Sequence, residues 1–299
     1  MKKILILTIG VISISFSAIF IRFCPDVPVI SIAAWRMVIA SCVLIAIAVA
    51  RKVRFTGIRK REWGIACMGA VFLTLHFASW ITSLKLTSVA SSVALVTTNP
   101  IFVGIFSWII LKEKQQKELI IGIVLSVSGS LILAVGDGGL SGLAITNKDA
   151  LIGDILALTG AIMGSGYLIS GSIIREKVDT FRYILMVYPL TAVLLLLVTV
   201  VGKFPLTGFS RISYINLILL ALVSQLLGHT AFNWALKHLK ASMVAVTILG
   251  EPIGAAILAW LFFRESISAS QTIGMALIFT AIIISARKGG KSLPRDIVT

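Results

Sequence analysis

Two stretches set 152 residues apart decide how this chain folds. They are Asn99-Pro100-Ile-Phe-Val-Gly-Ile-Phe-Ser-Trp108-Ile-Ile-Leu-Lys-Glu113 and Glu251-Pro252-Ile-Gly-Ala-Ala-Ile-Leu-Ala-Trp260-Leu-Phe-Phe-Arg-Glu265. Each places a polar residue before a proline, continues through apolar and small residues, and ends on a glutamate thirteen positions after the proline. At the same offset Lys85 falls on Lys237 and Gly122 on Gly274. Identities that include Pro and Trp at one fixed offset mark an internal repeat rather than shared composition.

Working outward, apolar runs fill the rest of the chain. Of its 299 residues, 58% are hydrophobic and 13% charged, against about 45–50% and 25% in soluble domains. A soluble core cannot hide that much apolar surface, whereas a bilayer can. A hydrocarbon layer about 30 Å thick needs roughly 20 apolar residues per helix. The runs that meet this are Ile4–Ile21, Val29–Ala50, Gly64–Leu84, Val89–Leu111, Leu119–Val135, Leu151–Ile174, Tyr183–Val201, Ile212–Leu236, Ala241–Phe263 and Thr272–Ala286. All are expected to be helices, because an open strand edge in lipid leaves its backbone unpaired. Met1-Lys2-Lys3 and the apolar residues after it also have the form of a secretory signal peptide. The repeat needs this segment as its first helix, so it counts as a span.

The net charge of +15 comes from short Lys/Arg clusters between apolar runs, not from a basic stripe interleaved with aromatics. That pattern sets membrane orientation and excludes nucleic acid as the partner. With the N-terminus inside, cytoplasmic segments carry 20 Lys/Arg and the opposite side 6. Both termini are therefore expected in the cytoplasm. The interruption Gly136–Asp149, rich in Gly and Ser, divides the chain almost evenly and reads as a linker. The expected organisation is a first five-helix repeat over 1–136, an extracytoplasmic linker over 137–149, a second repeat over 150–287 and a cytoplasmic tail over 288–299. Five spans per half is an odd number, so the second copy enters the membrane inverted. The fold class is an all-α integral membrane protein of ten transmembrane helices in two inverted five-helix repeats, an arrangement typical of carriers.

With ten spans, two matching halves and paired Pro…Glu motifs in spans four and nine, the chain resembles the EamA-type transporters of the drug/metabolite transporter superfamily. The resemblance runs from about Ile4 to Ala286. It implies a carrier in the cell membrane that moves a small organic metabolite, such as an amino acid or drug, commonly outward. The mechanism it implies is alternating access around a central cavity. The motifs specify the family better than the cargo.

Ionisable groups inside a membrane are costly and are functional candidates by default. Arg36 lies about 10 Å into span two and Glu251 about 15 Å into span nine, at 1.5 Å per residue. Arg36 is a candidate anchor for a carboxylate or phosphate; the structural alternative pairs it with Glu251 or sends it to the interface. Glu251 is the candidate proton-coupling residue. Asn99 holds the matching place in span four, and Pro100 and Pro252 each free a backbone carbonyl beside a cavity. Gln225, His229 and Asn233 are spaced as one helical stripe in span eight, as are His76, Ser79, Trp80 and Ser83 in span three. Such stripes line a wet pathway or bond neighbouring helices. Trp80 and Tyr167 are candidates for stacking on cargo, or for packing between helices. Gly160/Gly164 and Gly250/Gly254 read as close helix contacts. Glu113 and Glu265 read as interface charges near helix ends.

No HExxH, intramembrane aspartate pair or Walker A motif occurs, so neither metalloprotease chemistry nor direct ATP drive is expected. The alternative to a carrier is an intramembrane enzyme or a non-transporting helix-bundle scaffold, and the scaffold would not need the repeat. Cys24, Cys42 and Cys67 show no metal or disulfide spacing. No metal or cofactor is expected. The partners expected are a small-molecule substrate and the lipid bilayer, and a homodimer is compatible with such a chain.

Overall fold

In hydrocarbon every backbone amide must be satisfied within its own segment, and the apolar runs accordingly fold as helices. The computed structural model describes residues 2–87, 92, 95–138, 148–175, 177–264 and 267–288. Among them are ten helical spans: α1 (Lys2–Arg22), α2 (Val29–Ala50), α3 (Lys60–Leu86), α4 (Asn99–Ile109), α5 (Lys117–Gly138), α6 (Lys148–Ile174), α7 (Thr180–Val201), α8 (Arg211–Ala235), α9 (Ala241–Phe263) and α10 (Ala269–Lys288). Eight are long and apolar enough to cross a membrane among the described residues, and α4 is a shorter apolar helix. Most of the linker expected over 137–149 and all but the first residue of the tail lie outside the described residues, as does Glu265.

Several helices begin up to four residues before their apolar runs. Hydropathy ends where charge begins, but a helix ends where its amides find a cap. The Asp179 carboxylate accepts the Arg182 amide (3.0 Å) to start α7, and Ser210 Oγ accepts the Ser213 amide (3.2 Å) to start α8. Glu62 reaches back to the Arg59 amide (2.8 Å) at the start of α3.

Among the described residues three spans are not continuous α-helices. In span four, expected over Val89–Leu111 and partly outside the described residues before Leu95, helix at Leu95 and Val96 gives way to a turn at Thr97 and Thr98 before α4 starts at Asn99. In α9 the chain breaks at Leu249, φ −65° and ψ −3°, and restarts at Gly250, one residue before Glu251-Pro252. The break follows from proline's missing donor and its clash with the preceding turn. In α8 the stretch Leu220–His229 is wound as π-helix, a form concentrated at functional sites.

The two halves pack as related copies. α3 lies on α6 as α1 lies on α8; α1 meets α9 as α4 meets α6; α2 meets α8 as α3 meets α7. The pairs α2–α7, α4–α9 and α5–α10 join each helix to its own counterpart. Among the described residues the four non-glycine residues with positive φ also pair off. Lys52 (φ 49°) and Lys203 (φ 54°) end α2 and α7, while Lys112 (φ 53°) and Arg264 (φ 58°) follow α4 and α9. All are cations, which suit the negative end of a helix dipole.

Direction follows from the loops. Lys3 meets His238 O (3.4 Å) and Lys240 meets Lys114 O (3.3 Å) at one face. Asp26 accepts the Ser210 amide (2.6 Å) and Asp154 accepts Thr87 Oγ1 (2.7 Å) at the other. The helices α1 and α6 therefore start from opposite faces. The face holding Lys3 is called the terminal face below.

Large apolar side chains crowd the outside, with Val201 81% and Ile4 71% exposed. They suit lipid, where helix association rests on close packing rather than apolar burial. The GxxxG glycines supply that closeness. A methyl on Gly160 would stand 3.1 Å from Trp80 Cβ, and one on Gly250 2.9 Å from Val11. These seats fix α6 on α3 and α9 on α1.

Candidate functional site

At the heart of the bundle is Arg36, 7% exposed. Seven residues into α2 puts it about 10 Å from the helix start. Its Nε donates to Gln225 Oε1 of α8 (2.6 Å), and its guanidinium carbon lies 5.1 Å from the Phe77 ring centroid on α3. Its Nη2 is buried with no hydrogen-bond partner. No ion pair joins Arg36 to Glu251, although their charges lie within electrostatic reach. Arg36 thus neither snorkels to an interface nor closes on an acid. It presents an unspent donor in a site largely closed to water, which costs free energy unless a ligand accepts from it.

His76, His229 and Glu251 surround that guanidinium closely enough to feel its charge. All three keep some accessible surface. His76 Nδ1 lies 2.7 Å from Gly160 O. A carbonyl only accepts, so the proton sits on Nδ1 and a neutral ring offers Nε2 as an acceptor. The Trp80 ring stacks on His76 at 6.0 Å and 19°, and its Nε1 is enclosed with no partner.

The proline breaks are built alike. Asn99 Nδ2 donates to Ala161 O (2.9 Å) and Ser165 Oγ (2.7 Å), and Ser165 Oγ also approaches Asn99 O (3.1 Å). In the other half Ser15 Oγ donates to Glu251 O (3.3 Å). In each case a serine from the first helix of the opposite half meets the carbonyl ahead of the proline. Pro100 is buried in the first turn of α4, and Pro252 lies half-buried in α9.

The span-eight stripe divides between partners, because π winding changes which side chains share a face. Gln225 goes to Arg36, whereas Asn233 goes to Tyr167. The Tyr167 hydroxyl donates to Asn233 Oδ1 (3.0 Å), and Asn233 Nδ2 donates to His229 O (3.0 Å) and Tyr188 OH (3.3 Å). Tyr167 is therefore held in a buried network beside the site. Glu113 lies at the terminal face, away from the centre, its amide donating to Ser107 O (3.1 Å).

Phe77 and Tyr188 complete the surroundings and were not singled out in the sequence. Phe77 reads as one apolar residue among many. The signal available for Tyr188 was a hydroxyl in mid-span just before Pro189.

Compared with known proteins, the profile of the EamA-like transporter family matches residues 1–135 and again 151–287. An uncharacterized transporter of Clostridium kluyveri is 25% identical over 81% of this chain and 77% of its own length. The uncharacterized transporter YwfM of Bacillus subtilis is 22% identical over 84% and 82%. Human solute carrier family 35 member G1 is 24% identical over 91% and 75%. One crystal structure superposes with a TM-score of 0.83 at 18% identity, covering 96% of this chain and 97% of the other.

Proposed function

Because this chain belongs to the EamA-like transporter family and is a multi-pass membrane protein, we propose that it exports a small organic solute bearing a carboxylate or similar anionic group. In this reading the solute's anionic end docks on Arg36. The observation that carries it is the enclosed, unpartnered Nη2 of a guanidinium already anchored through Nε. A planar guanidinium suits two-pronged carboxylate binding. His76, Trp80, His229 and Asn99 line the remainder of the site, with Gln225 and Tyr167 holding it in place.

Alternating access follows from the inverted halves hinging on the two proline breaks. In α9 the segment Ala241–Thr247, towards the terminal face, is buried throughout, whereas only Gly250 is buried in Gly250–Phe263. Ser242 Oγ ties the first segment to Ser107 Oγ (3.4 Å) and Gln115 Oε1 (3.2 Å). That asymmetry fits a bundle shut at the terminal face. The charge bias makes this face cytoplasmic in the cell membrane. Glu251 supplies proton coupling, because its charge state biases one facing state over the other.

A thermal-shift panel tests the site. A carboxylate or zwitterion at 100 times its Kd is expected to stabilise the detergent-solubilised protein by about 2.7 kcal/mol, and to do nothing for Arg36→Met. Equal shifts in both proteins would reject Arg36 as the anchor. For coupling, Glu251→Gln is expected to abolish the response of flux to an imposed pH gradient while leaving downhill exchange intact; a surviving response removes Glu251 from that role. Vesicles of defined orientation decide direction, and uptake only from the extracytoplasmic side would contradict export.

A further inference from the structure

A second polar region lies at the terminal face, remote from Arg36. The α2–α3 loop and the α6–α7 loop meet there around a cavity of about 190 Å³, beside a shallower hollow of about 530 Å³. Arg51, Lys52, Arg54, Arg59, Lys177 and Arg182 contribute cations to the two walls. Two carboxylates stand against these six cations, and both are engaged. Glu62 accepts the Arg59 amide and lies 3.9 Å from Lys177 Nζ. Asp179 caps α7 and lies 3.5 Å from Arg182 Nε. Among the described residues, the side chains of Arg51, Lys52 and Arg54 reach no carboxylate.

Like charges gathered around a hollow repel one another, and such an arrangement is stabilised by an anion. The depth of the hollow indicates which kind. Trp63, 40% exposed, packs on Phe55 at 5.4 Å beside it, and an exposed tryptophan at a span end sits at the headgroup level. On the membrane side, Val49 and Ile45 of α2 are exposed apolar residues just before Arg51. Cationic wall and apolar flank together match a phosphate headgroup with its acyl chains.

We propose that this hollow binds the headgroup of an anionic phospholipid, with the α2–α3 loop as its principal cationic wall. Lipid phosphate and free phosphate share the recognition chemistry, and the apolar flank favours the lipid. Bound there, the lipid cross-links α2–α3 to α6–α7, and so joins the two halves at the terminal face.

The test titrates the full-length protein in neutral detergent with phosphatidylglycerol, phosphatidylcholine or inorganic phosphate, reading thermal unfolding and, by native mass spectrometry, bound lipid. Each surface cation contributes about 1 kcal/mol to anionic-lipid attraction. The triple variant Arg51→Gln/Arg54→Gln/Arg59→Gln is therefore expected to bind phosphatidylglycerol on the order of 100-fold more weakly. The control Lys112→Gln/Lys114→Gln/Lys117→Gln removes equal charge from another loop of the same face and is expected to keep wild-type affinity. Equal losses in the two variants would mean diffuse attraction and overturn the site. Equal binding of phosphatidylcholine would do the same, as would inorganic phosphate displacing the lipid at millimolar concentration.

Discussion

Substituting the two partners of one hydrogen bond is expected to affect stability unequally. Gln225→Leu removes the acceptor of Arg36 Nε and leaves a buried guanidinium with neither Nε nor Nη2 satisfied. A hydrogen bond to a charged group contributes about 1.5–3 kcal/mol, so a loss of that order is expected. Arg36→Met instead removes the charge together with its unspent donor. Replacing a buried charged group by an apolar side chain of similar volume is often neutral or stabilising, by up to about 1–4 kcal/mol. The Gln225 amide left behind subtracts about 1–3 kcal/mol from that gain, so the net effect runs from a loss of about 2 to a gain of about 3 kcal/mol and is centred near zero. The double variant should be at least as stable as wild type, since neither polar partner remains. The assay is thermal unfolding of all four proteins in one detergent, with yield of monodisperse protein as a check. At roughly 2–4 °C per kcal/mol for chains of this size class, Gln225→Leu falls clearly below wild type and Arg36→Met does not. If Arg36→Met falls as far as Gln225→Leu, the guanidinium is a structural strut and its open donor is not held for a ligand.

Three further outcomes follow from particular contacts. Hydrogen bonds from the Ser213 hydroxyl and the Ser210 amide hold Asp26 below the ordinary carboxylate value of 3.8. Its contribution is therefore full above that value and lost as pH falls through the lower folded value; Asp26→Asn should flatten the acid limb of the stability curve, and an unchanged limb would show that Asp26 does not clamp α1–α2 to α8. Gly164→Val would press on His76 Nδ1, 2.9 Å from the position of an added Cβ, whereas Gly64 has nothing within 4 Å; the first should cost about 1–3 kcal/mol by overpacking, and Gly64→Ala should be neutral or stabilise by about 0.5–1 kcal/mol, so equal melting shifts would refute the close seat. Lys203→Gly relieves a left-handed backbone at φ 54° that costs about 1–2 kcal/mol, less the chain entropy glycine adds; a lower melting temperature would show that its side chain matters more than its backbone.

Much of this fold was legible because lipid simplifies it. Apolar runs announce spans, and the shared Pro…Glu spacing announces duplication, which the two family matches bear out. The helix ends were not legible to the residue, since Asp179, Ser210 and Glu62 cap helices in stretches where hydropathy has already fallen. The π winding of α8 was invisible for a different reason: the spacing of Gln225, His229 and Asn233 suits an α-helix, and only tertiary packing divides them between Arg36 and Tyr167. The centre itself was legible in part. An arginine and a glutamate amid apolar residues stand out, but that Arg36 would bond Gln225 rather than meet Glu251 depends on how α2, α8 and α9 pack. Phe77 carries no signal that separates it from lipid-facing apolar residues.

The most direct measurement is solute exchange in vesicles reconstituted with equal amounts of wild-type protein and Arg36→Met. A panel pairs carboxylate-bearing solutes with neutral analogues of the same skeleton, and the recovered solutes are checked for chemical change. Wild-type vesicles should exchange at least one carboxylate-bearing solute, unaltered and faster than its neutral analogue, and Arg36→Met should lose that exchange while remaining folded. Exchange that runs equally through the variant, or that favours the neutral analogues, would contradict Arg36 as the point at which this carrier holds its cargo.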